Sequence, residues 1–417
     1  MAEKITKPQI RFSGFDDEWE QRKLGEVGFT YTGLAGKTKE DFGHGSGRFV
    51  TYMNVFTNPV SDAAAVEPIE IDHTQNEVRF GDVFFTTSSE TPEEVGMSSI
   101  WLENSENTYL NSFCFGFRPT ERFDPYYLAY MLRSEDVRKK ITFLAQGISR
   151  YNISKSKMMD IEIPVPKEGE QRLLGAFFRH LDHLIAHHQS KYDKLINIKK
   201  SMLEKMFPKD GEVVPEIRFR EFSDDWEQQK LRELVERVVR KNINNESNLP
   251  LTISAQYGLV DQVTYFNNRV ASRDISNYYL ILNGEFAYNK STSDGFPFGA
   301  IKRLEFYEKG VLSTLYIVFN IEAKDKVNSD FLTVFFDTDR WHKGVGERAA
   351  EGARNHGLLN ISPDDFFDID LYLPKSEKEQ KVIGTYIRTL DHLITLHQRK
   401  LEKLKNLKKA YLEKMFV

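Results

Sequence analysis

Pro8-Gln-Ile-Arg-Phe-Ser-Gly-Phe-Asp-Asp-Glu-Trp-Glu-Gln-Arg-Lys-Leu24 returns later in the chain as Pro215-Glu-Ile-Arg-Phe-Arg-Glu-Phe-Ser-Asp-Asp-Trp-Glu-Gln-Gln-Lys-Leu231. A match of this length at a spacing of about 208 residues, half of the 417-residue chain, marks an internal duplication into two halves and not a solenoid of short repeats. A second match supports it. The stretch Arg172 to Phe207, with Leu181-Asp-His-Leu-Ile185 at its core and Leu203-Glu-Lys-Met-Phe207 at its close, recurs as Leu390-Asp-His-Leu-Ile394 and Leu412-Glu-Lys-Met-Phe416. Between the matched segments, Leu24 to Pro166 and Leu231 to Pro374 keep only a skeleton: Gly81-Asp82-Val83 against Gly284-Glu285-Phe286, and Asn152-Ile-Ser154 against Asn360-Ile-Ser362. Two identical sites would have kept these regions alike. The pattern suggests one framework that displays two different readers.

The second duplicated stretch predicts a long helix. Leu174, Phe178, Leu181, Ile185, His188, Tyr192 and Leu195 recur in steps of four and three, the spacing of a coiled-coil seam. The second copy keeps the phase at Ile383, Ile387, Leu390, Ile394, His397, Leu401 and Leu404, then Lys408, Tyr411 and Met415. A helix with one apolar seam needs a partner, and the nearest equivalent seam is the other copy. An intrachain antiparallel coiled coil with pseudo-twofold symmetry is therefore expected, with the helices acting as a ruler between two domains. The expected division is a first domain over 1–167, a central helix over 168–207, a second domain over 208–376 and a C-terminal helix over 377–417. The variable domains read as α+β. Strands are expected at Arg48 to Phe56, Val78 to Thr87 and Tyr109 to Phe117, and at Tyr278 to Asn289 and Gly310 to Ile321. One short helix follows in each, at Pro125 to Lys140 and Asp330 to Val345. Trp19 and Trp226 are expected to anchor each domain on the helices.

Composition narrows the function. A single cysteine, Cys114, leaves no intramolecular disulfide. No apolar run reaches the roughly 18 residues of a membrane span, and Met1 to Pro8 has no apolar export segment, so a soluble cytoplasmic protein without membrane association is expected. The formal net charge of -5 argues against a surface coated uniformly with nucleic-acid-binding charge. Phosphate contact is local, however, within a Debye length of about 8 Å, so clustered Lys and Arg would suffice.

Several chemistries are set aside. Gly33-Leu-Ala-Gly-Lys-Thr38 lacks the first glycine of a phosphate loop, since that position is Tyr31. His180, His183, His187 and His188 are dense, but no Cys or carboxylate completes a metal set, and only His183 and His188 recur, as His392 and His397. Neither an Asn-Pro-Pro-Tyr-like tetrapeptide nor a glycine-rich methyl-donor loop follows a strand, so no methyltransferase site is expected. The Gly81 and Gly284 turns are read as structural, as are Asn152 and Asn360 in the first instance, each shaping a turn.

The duplicated segments Phe15 to Leu24 and Phe222 to Leu231, the Leu-Asp-His-Leu-Ile helices and the run Gly284-Glu-Phe-Ala-Tyr-Asn-Lys-Ser291 together resemble the specificity (S) subunits of type I restriction-modification systems, over essentially the whole length. The resemblance implies two target recognition domains, each reading half of a bipartite, asymmetric sequence in double-stranded DNA, with the helices fixing the unread spacer. It also implies partners: modification subunits, two per chain, that hold the methyl donor and perform adenine N6 methylation, and restriction subunits that supply a motor and nuclease. This chain would be non-catalytic and carry no cofactor or metal. DNA-binding candidates in the first domain are Lys37 and Lys39, Thr86, Thr87, Ser88 and Ser89, and Arg150, Tyr151 and Asn152. In the second they are Tyr288, Asn289, Lys290, Ser291, Thr292 and Ser293, and Arg354, Asn355 and His356. Asn can pair bidentately with adenine and Arg with guanine, while Lys and Ser suit phosphates. Arg138, Lys139, Lys140, Lys155 and Lys157 would add local charge. One framework with two unlike faces also fits a coiled-coil scaffold joining two protein ligands, or a silent or variant specificity protein.

Overall fold

A computed structural model describes residues 7–254, 257–293, 295–349 and 357–417. The chain is α+β and forms two compact units, Met1–Ser190 with Gln398–Val417, and Lys191–His397. This division runs through both long helices, whereas the division expected from sequence followed the helix ends. Each helix gives one end to each unit.

The helices are Glu168–Lys205 and Glu377–Lys414, 38 residues each, about 57 Å long at 1.5 Å per residue. In the first unit the start of one helix lies antiparallel to the end of the other: the Phe177 and Tyr411 rings are 5.2 Å apart, and Lys408 Nζ lies 2.5 Å from Asp182 Oδ1. In the second unit Lys199 Nζ lies 2.7 Å from Asp391 Oδ1, and Leu195, Ile198 and Met202 pack with Ile383, Ile387 and Leu390. The seam is apolar as read: Leu174, Phe178, Leu181, Ile383, Ile387, Leu390, Ile394 and Leu401 are buried. Ile185, His188, Leu195, His397 and Leu404 are half-buried. A fully buried aliphatic or aromatic side chain contributes about 1.5–3 kcal/mol, so the seam and not helix propensity holds these helices.

The duplicated segments build the same joint twice. Trp19 Nε1 donates to Glu170 at 3.0 Å, while the Arg11 guanidinium clasps both carboxylate oxygens at 2.7 and 2.8 Å. In the second unit Trp226 donates to Glu379 at 3.4 Å and Arg218 clasps it at 2.7 and 2.8 Å. Each glutamate is nearly inaccessible, and the bidentate guanidinium compensates the burial of its charge. The closing Met-Phe pairs complete the joint, with Phe416 6.4 Å from Trp19 and Phe207 5.8 Å from Trp226. Both tryptophans are thus core anchors, as expected.

Beyond the joint, Glu20–Lys23 pairs antiparallel with Glu162–Val165, and Glu227–Lys230 with Asp370–Leu373. Each unit then carries a four-stranded antiparallel sheet of the same plan. The first has the order Gly28–Thr32, Cys114–Pro119, Val83–Thr86, Ser98–Ile100, and the second Val235–Arg237, Ile317–Ile321, Phe286–Asn289, Ala300–Arg303. Gly81 and Gly284, at φ +87° and +89°, turn the chain into the central strand of each sheet, a conformation that costs other residues more. The first unit adds a three-stranded sheet, Val66–Ile69, Phe42–Val50, Thr108–Leu110, and the second two antiparallel two-stranded pairs, Leu251–Ser254 with Gly258–Asp261 and Tyr279–Leu282 with Lys309–Leu312.

The expected strands and helices are shorter than their sequence patterns. The run Arg48 to Phe56 is strand only to Val50, because Thr51 caps a helix at Tyr52–Thr57 by accepting from Asn54 N–H. Tyr109 to Phe117 breaks at Asn111, whose side chain accepts from Phe113 N–H and turns the chain. Tyr278 to Asn289 breaks at the Gly284 turn, and Gly310 to Ile321 between Leu312 and Ile317. The helices over Pro125 to Lys140 and Asp330 to Val345 are each two pieces, Pro125–Met131 and Glu135–Phe143, and Ser329–Phe335 and His342–Arg348. The first break falls at Ser134, whose extended backbone starts the second piece, beside Arg133, which turns inward to donate to the carbonyl oxygens of Val55, Phe56, Asn58 and Ser98.

Candidate nucleic-acid interface

In the first unit the chain leaves the central strand at Thr86 and immediately forms a small ribbon, Ser88–Ser89 paired antiparallel with Tyr151–Asn152. The two candidate stretches that sequence placed about 60 residues apart are therefore adjacent. Arg150 donates to Ser88 Oγ at 3.2 Å, and Tyr52 OH to Ser88 O at 2.9 Å. Arg150 and Asn152 are exposed and Tyr151 is half-buried. Ile153 N–H donates to Thr87 O at 3.0 Å, locking the ribbon to the sheet. The second unit repeats this with Leu359 N–H and Lys290 O at 2.9 Å, Ser291 bridged to Leu358, and Thr292 N–H donating to Gly357 O at 2.7 Å. Ser291 and Ser293 are exposed there and Thr292 half-buried.

Other candidates point inward. Thr86 is fully buried, its Oγ1 accepting from Met97 N–H at 3.0 Å. Thr87 Oγ1 donates to Phe113 O at 2.8 Å, and Ser89 Oγ to Glu94 at 3.1 Å. Tyr288 is an interior residue, stacked 4.7 Å from Phe366 with its hydroxyl donating to Phe298 O. Asn289 accepts from Ser291 N–H through Oδ1, shaping the turn out of the strand. Lys290 donates to Ile361 O at 3.3 Å, and burial pushes its ammonium pKa down. Arg354, Asn355 and His356 lie outside the described residues.

The nominated cations divide likewise. Lys37 is held 2.8 Å from Asp72 and 4.0 Å from Asp41, and hydrogen bonding to Asp72 raises its pKa. Lys39 is exposed. Arg138 is spent inside the fold on the carbonyl oxygens of Glu93, Val95 and Gly96, and burial pulls its guanidinium down to about 10. Lys139 pairs with Glu135 at 2.6 Å, Lys140 donates to Glu162 O at 2.9 Å, and Lys155 lies 6.0 Å over the Phe115 ring. The local positive charge inferred from sequence is therefore smaller than the residue count suggested, with Arg150 and Lys39 its clearest exposed members.

Asn152 and Asn360 do not occupy a shared turn. Asn152 sits on the ribbon opposite Ser88, whereas the matching ribbon position in the second unit is Leu358, and Asn360 follows it as an exposed residue. Their common element is the serine two residues on, Ser154 or Ser362, which begins the short helix Lys155–Met159 or Pro363–Phe367. Sequence reasoning also missed Glu170 and Glu379, although each opens a Glu-Gln pair that recurs between the halves. Gln171 and Gln380 are tied in too, accepting from Asp124 N–H and Asn328 N–H at 3.0 and 2.8 Å.

Among the described residues no helix is long and apolar enough to cross a membrane. The family model for the type I restriction modification DNA specificity domain matches residues 16–205. A Methanocaldococcus jannaschii protein described as the MjaX type I restriction enzyme specificity subunit is 24% identical over 219 residues, 51% of this chain and 51% of that one. The chain thus spans about half the length of this relative. The MjaVIII specificity subunit of the same organism is 21% identical over 376 residues, 86% of this chain and 83% of the relative. The crystal structure of a type I restriction-modification S subunit from M. genitalium superposes with a TM-score of 0.63 at 14% identity, covering 99% of both chains, a likeness of fold. With a specificity-domain match over residues 16–205, that stretch duplicated in part, and a shared fold over the full length, the chain is similar to the specificity subunits of type I restriction-modification systems.

Proposed function

We propose that this chain is the DNA sequence-recognition subunit of a type I restriction-modification complex, each unit reading one half of a bipartite asymmetric site. It directs adenine N6 methylation and restriction by partner modification and restriction subunits, two modification subunits binding per chain, and is itself non-catalytic. The observation that carries this reading is the contrast within the duplication. The joint of Trp, Arg and Glu recurs with the same partners, while the ribbons present different polar side chains: the exposed Arg150 and Asn152 in one, the exposed Ser291 and half-buried Thr292 in the other. One frame with two unlike polar surfaces suits two different DNA words, because sequence is read through base edges while phosphate contacts set register. The methyl donor belongs on the modification subunit.

The test is methylation mapping by single-molecule sequencing of DNA from cells that express this chain with its neighbouring modification subunit, against the subunit alone. A split motif carrying N6-methyladenine only when the chain is present is the expected result. A soluble, associated pair that leaves no chain-dependent methylation would remove the reading. One observation favours a protein-joining scaffold instead: several nominated cations are committed to internal partners, and the net charge is -5. Salt dependence separates the two, since counterion release makes DNA binding fall steeply with salt.

A further inference from the structure

The connection between the helix Glu135–Phe143 and the ribbon strand Tyr151–Asn152 is a closed hairpin. Gln146 and Asn152 exchange both backbone hydrogen bonds, at 2.9 and 2.8 Å. Gly147 has φ +149°, and a Cβ there would stand 2.0 Å from Arg150 O, so only glycine permits the closure. Through Tyr151–Asn152 the hairpin is braced on Ser88–Ser89. Its tip is therefore held in shape before any ligand arrives. At that tip Ile148 is 96% exposed, the highest value for a large apolar side chain among the described residues.

An aliphatic side chain held in water on a pre-shaped tip calls for a ligand that covers it, and the surrounding residues indicate which. Arg150, two residues on, and Asn152, at the base of the same hairpin, are exposed, while the Ser88 hydroxyl is buried and accepts from Arg150. Guanidinium and amide groups match phosphates and base edges. Proteins that deform DNA insert a single Ile, Leu, Phe or Met between base steps, with cationic side chains alongside. Phe143, which ends the helix leading into the hairpin, is also exposed, at 88%, but the polar groups beside Ile148 favour a nucleic-acid occupant over a protein one.

We propose that Ile148 is a wedge that enters the duplex at one base step of the half-site read by the first unit, with Arg150 fixing the tip against the backbone. The wedge makes the half-site favour an easily unstacked step, such as pyrimidine–purine, at a position where no polar side chain reads the base. This rests on the DNA-reading function proposed above and adds the residue that supplies indirect readout.

The experiment uses the full chain in complex with its modification subunit, and a duplex carrying the methylated word with 2-aminopurine placed at successive steps of each half-site. Wild type is expected to raise 2-aminopurine fluorescence at one step of one half-site. Ile148→Ala abolishes that signal and weakens specific binding about tenfold, with the salt dependence unchanged because no phosphate contact is lost. Ile148→Met keeps the signal. Unchanged binding and fluorescence in Ile148→Ala, with normal methylation by wild type, would overturn the wedge and leave the DNA-reading function standing. Loss of association with the modification subunit, with DNA binding intact, would reassign the tip to protein docking. Absence of any chain-dependent methylation by wild type would remove both.

Discussion

Asp337 lies between two ammonium groups in the second unit, 2.6 Å from Lys302 Nζ and 3.3 Å from Lys199 Nζ, with Lys199 also reaching Asp391 at 2.7 Å. Burial pushes the Asp337 carboxyl pKa up, but the two lysines outweigh it and hold it below the ordinary 3.8. A carboxylate with a depressed folded pKa contributes stability that is complete above its unfolded value and lost as pH falls through the lower folded value. Asp337→Asn is therefore expected to lower the urea midpoint at pH 7, a cost of about 2 kcal/mol for a largely buried charge pair broken on one side. The gap between variant and wild type should narrow below about pH 4, where Asp337 of the unfolded wild-type chain begins to protonate, and close as pH falls through the lower folded value. Coincident transitions at pH 7 would show that the lysines gain nothing net from it. Nothing in the sequence around Asp337 announces this role, and the same blindness explains the candidate residues that turned inward. Lys37 meets Asp72, Arg138 the carbonyl groups of Glu93 to Gly96, and Tyr288 the ring of Phe366, all partners distant in sequence. Residue type tells what a side chain can bind; only the fold decides whether that partner is internal.

At the scale of elements, the two helices carry a reciprocal pair of ion bridges. The aspartate of each Leu-Asp-His-Leu-Ile segment takes a lysine from the other helix, Asp182 with Lys408 and Asp391 with Lys199. Both bridges index the same antiparallel register, and Tyr130 OH adds a 2.7 Å hydrogen bond to Asp182. Apolar seams tolerate sliding by a heptad, whereas a half-buried charge set opposite the wrong residue does not, so these bridges specify register more than stability. Asp182→Lys is expected to cost about 1–2 kcal/mol in thermal or urea unfolding, and Asp182→Lys with Lys408→Asp to recover at least half of that. Additive losses in the double-mutant cycle would mean that the seam alone sets the register. The helices were legible because a heptad is a local period. The strands were legible only in outline, because alternation continues through a glycine turn such as Gly284 and through the Asn111 break, where chain direction changes without a change in hydrophobic pattern.

For the whole molecule, the way each reader segment is inserted into its frame predicts how recognition can be altered. In the second unit Glu227–Lys230 and Asp370–Leu373 run side by side, and Leu231 N–H donates to Ile369 O at 3.0 Å, so the two ends of the segment between them are adjacent. The first unit closes in the same way, with Leu24 N–H donating to Ile161 O at 3.0 Å. A segment whose ends meet at a fixed strand pair can be exchanged without moving the joint, provided that Arg218, Trp226, Glu379 and the Met206-Phe207 plug are kept, since these hold the frame to the helices. Replacing residues 232–368 with the matching segment of a relative that directs methylation of another word should therefore change one half of the methylated motif and leave the other half intact. Cuts that fall inside the frame strands should instead yield insoluble protein, because they sever the ladder that closes the reader. A graft that alters both half-sites would show that the two readings are coupled. A soluble graft that alters neither would place the readers outside these segments.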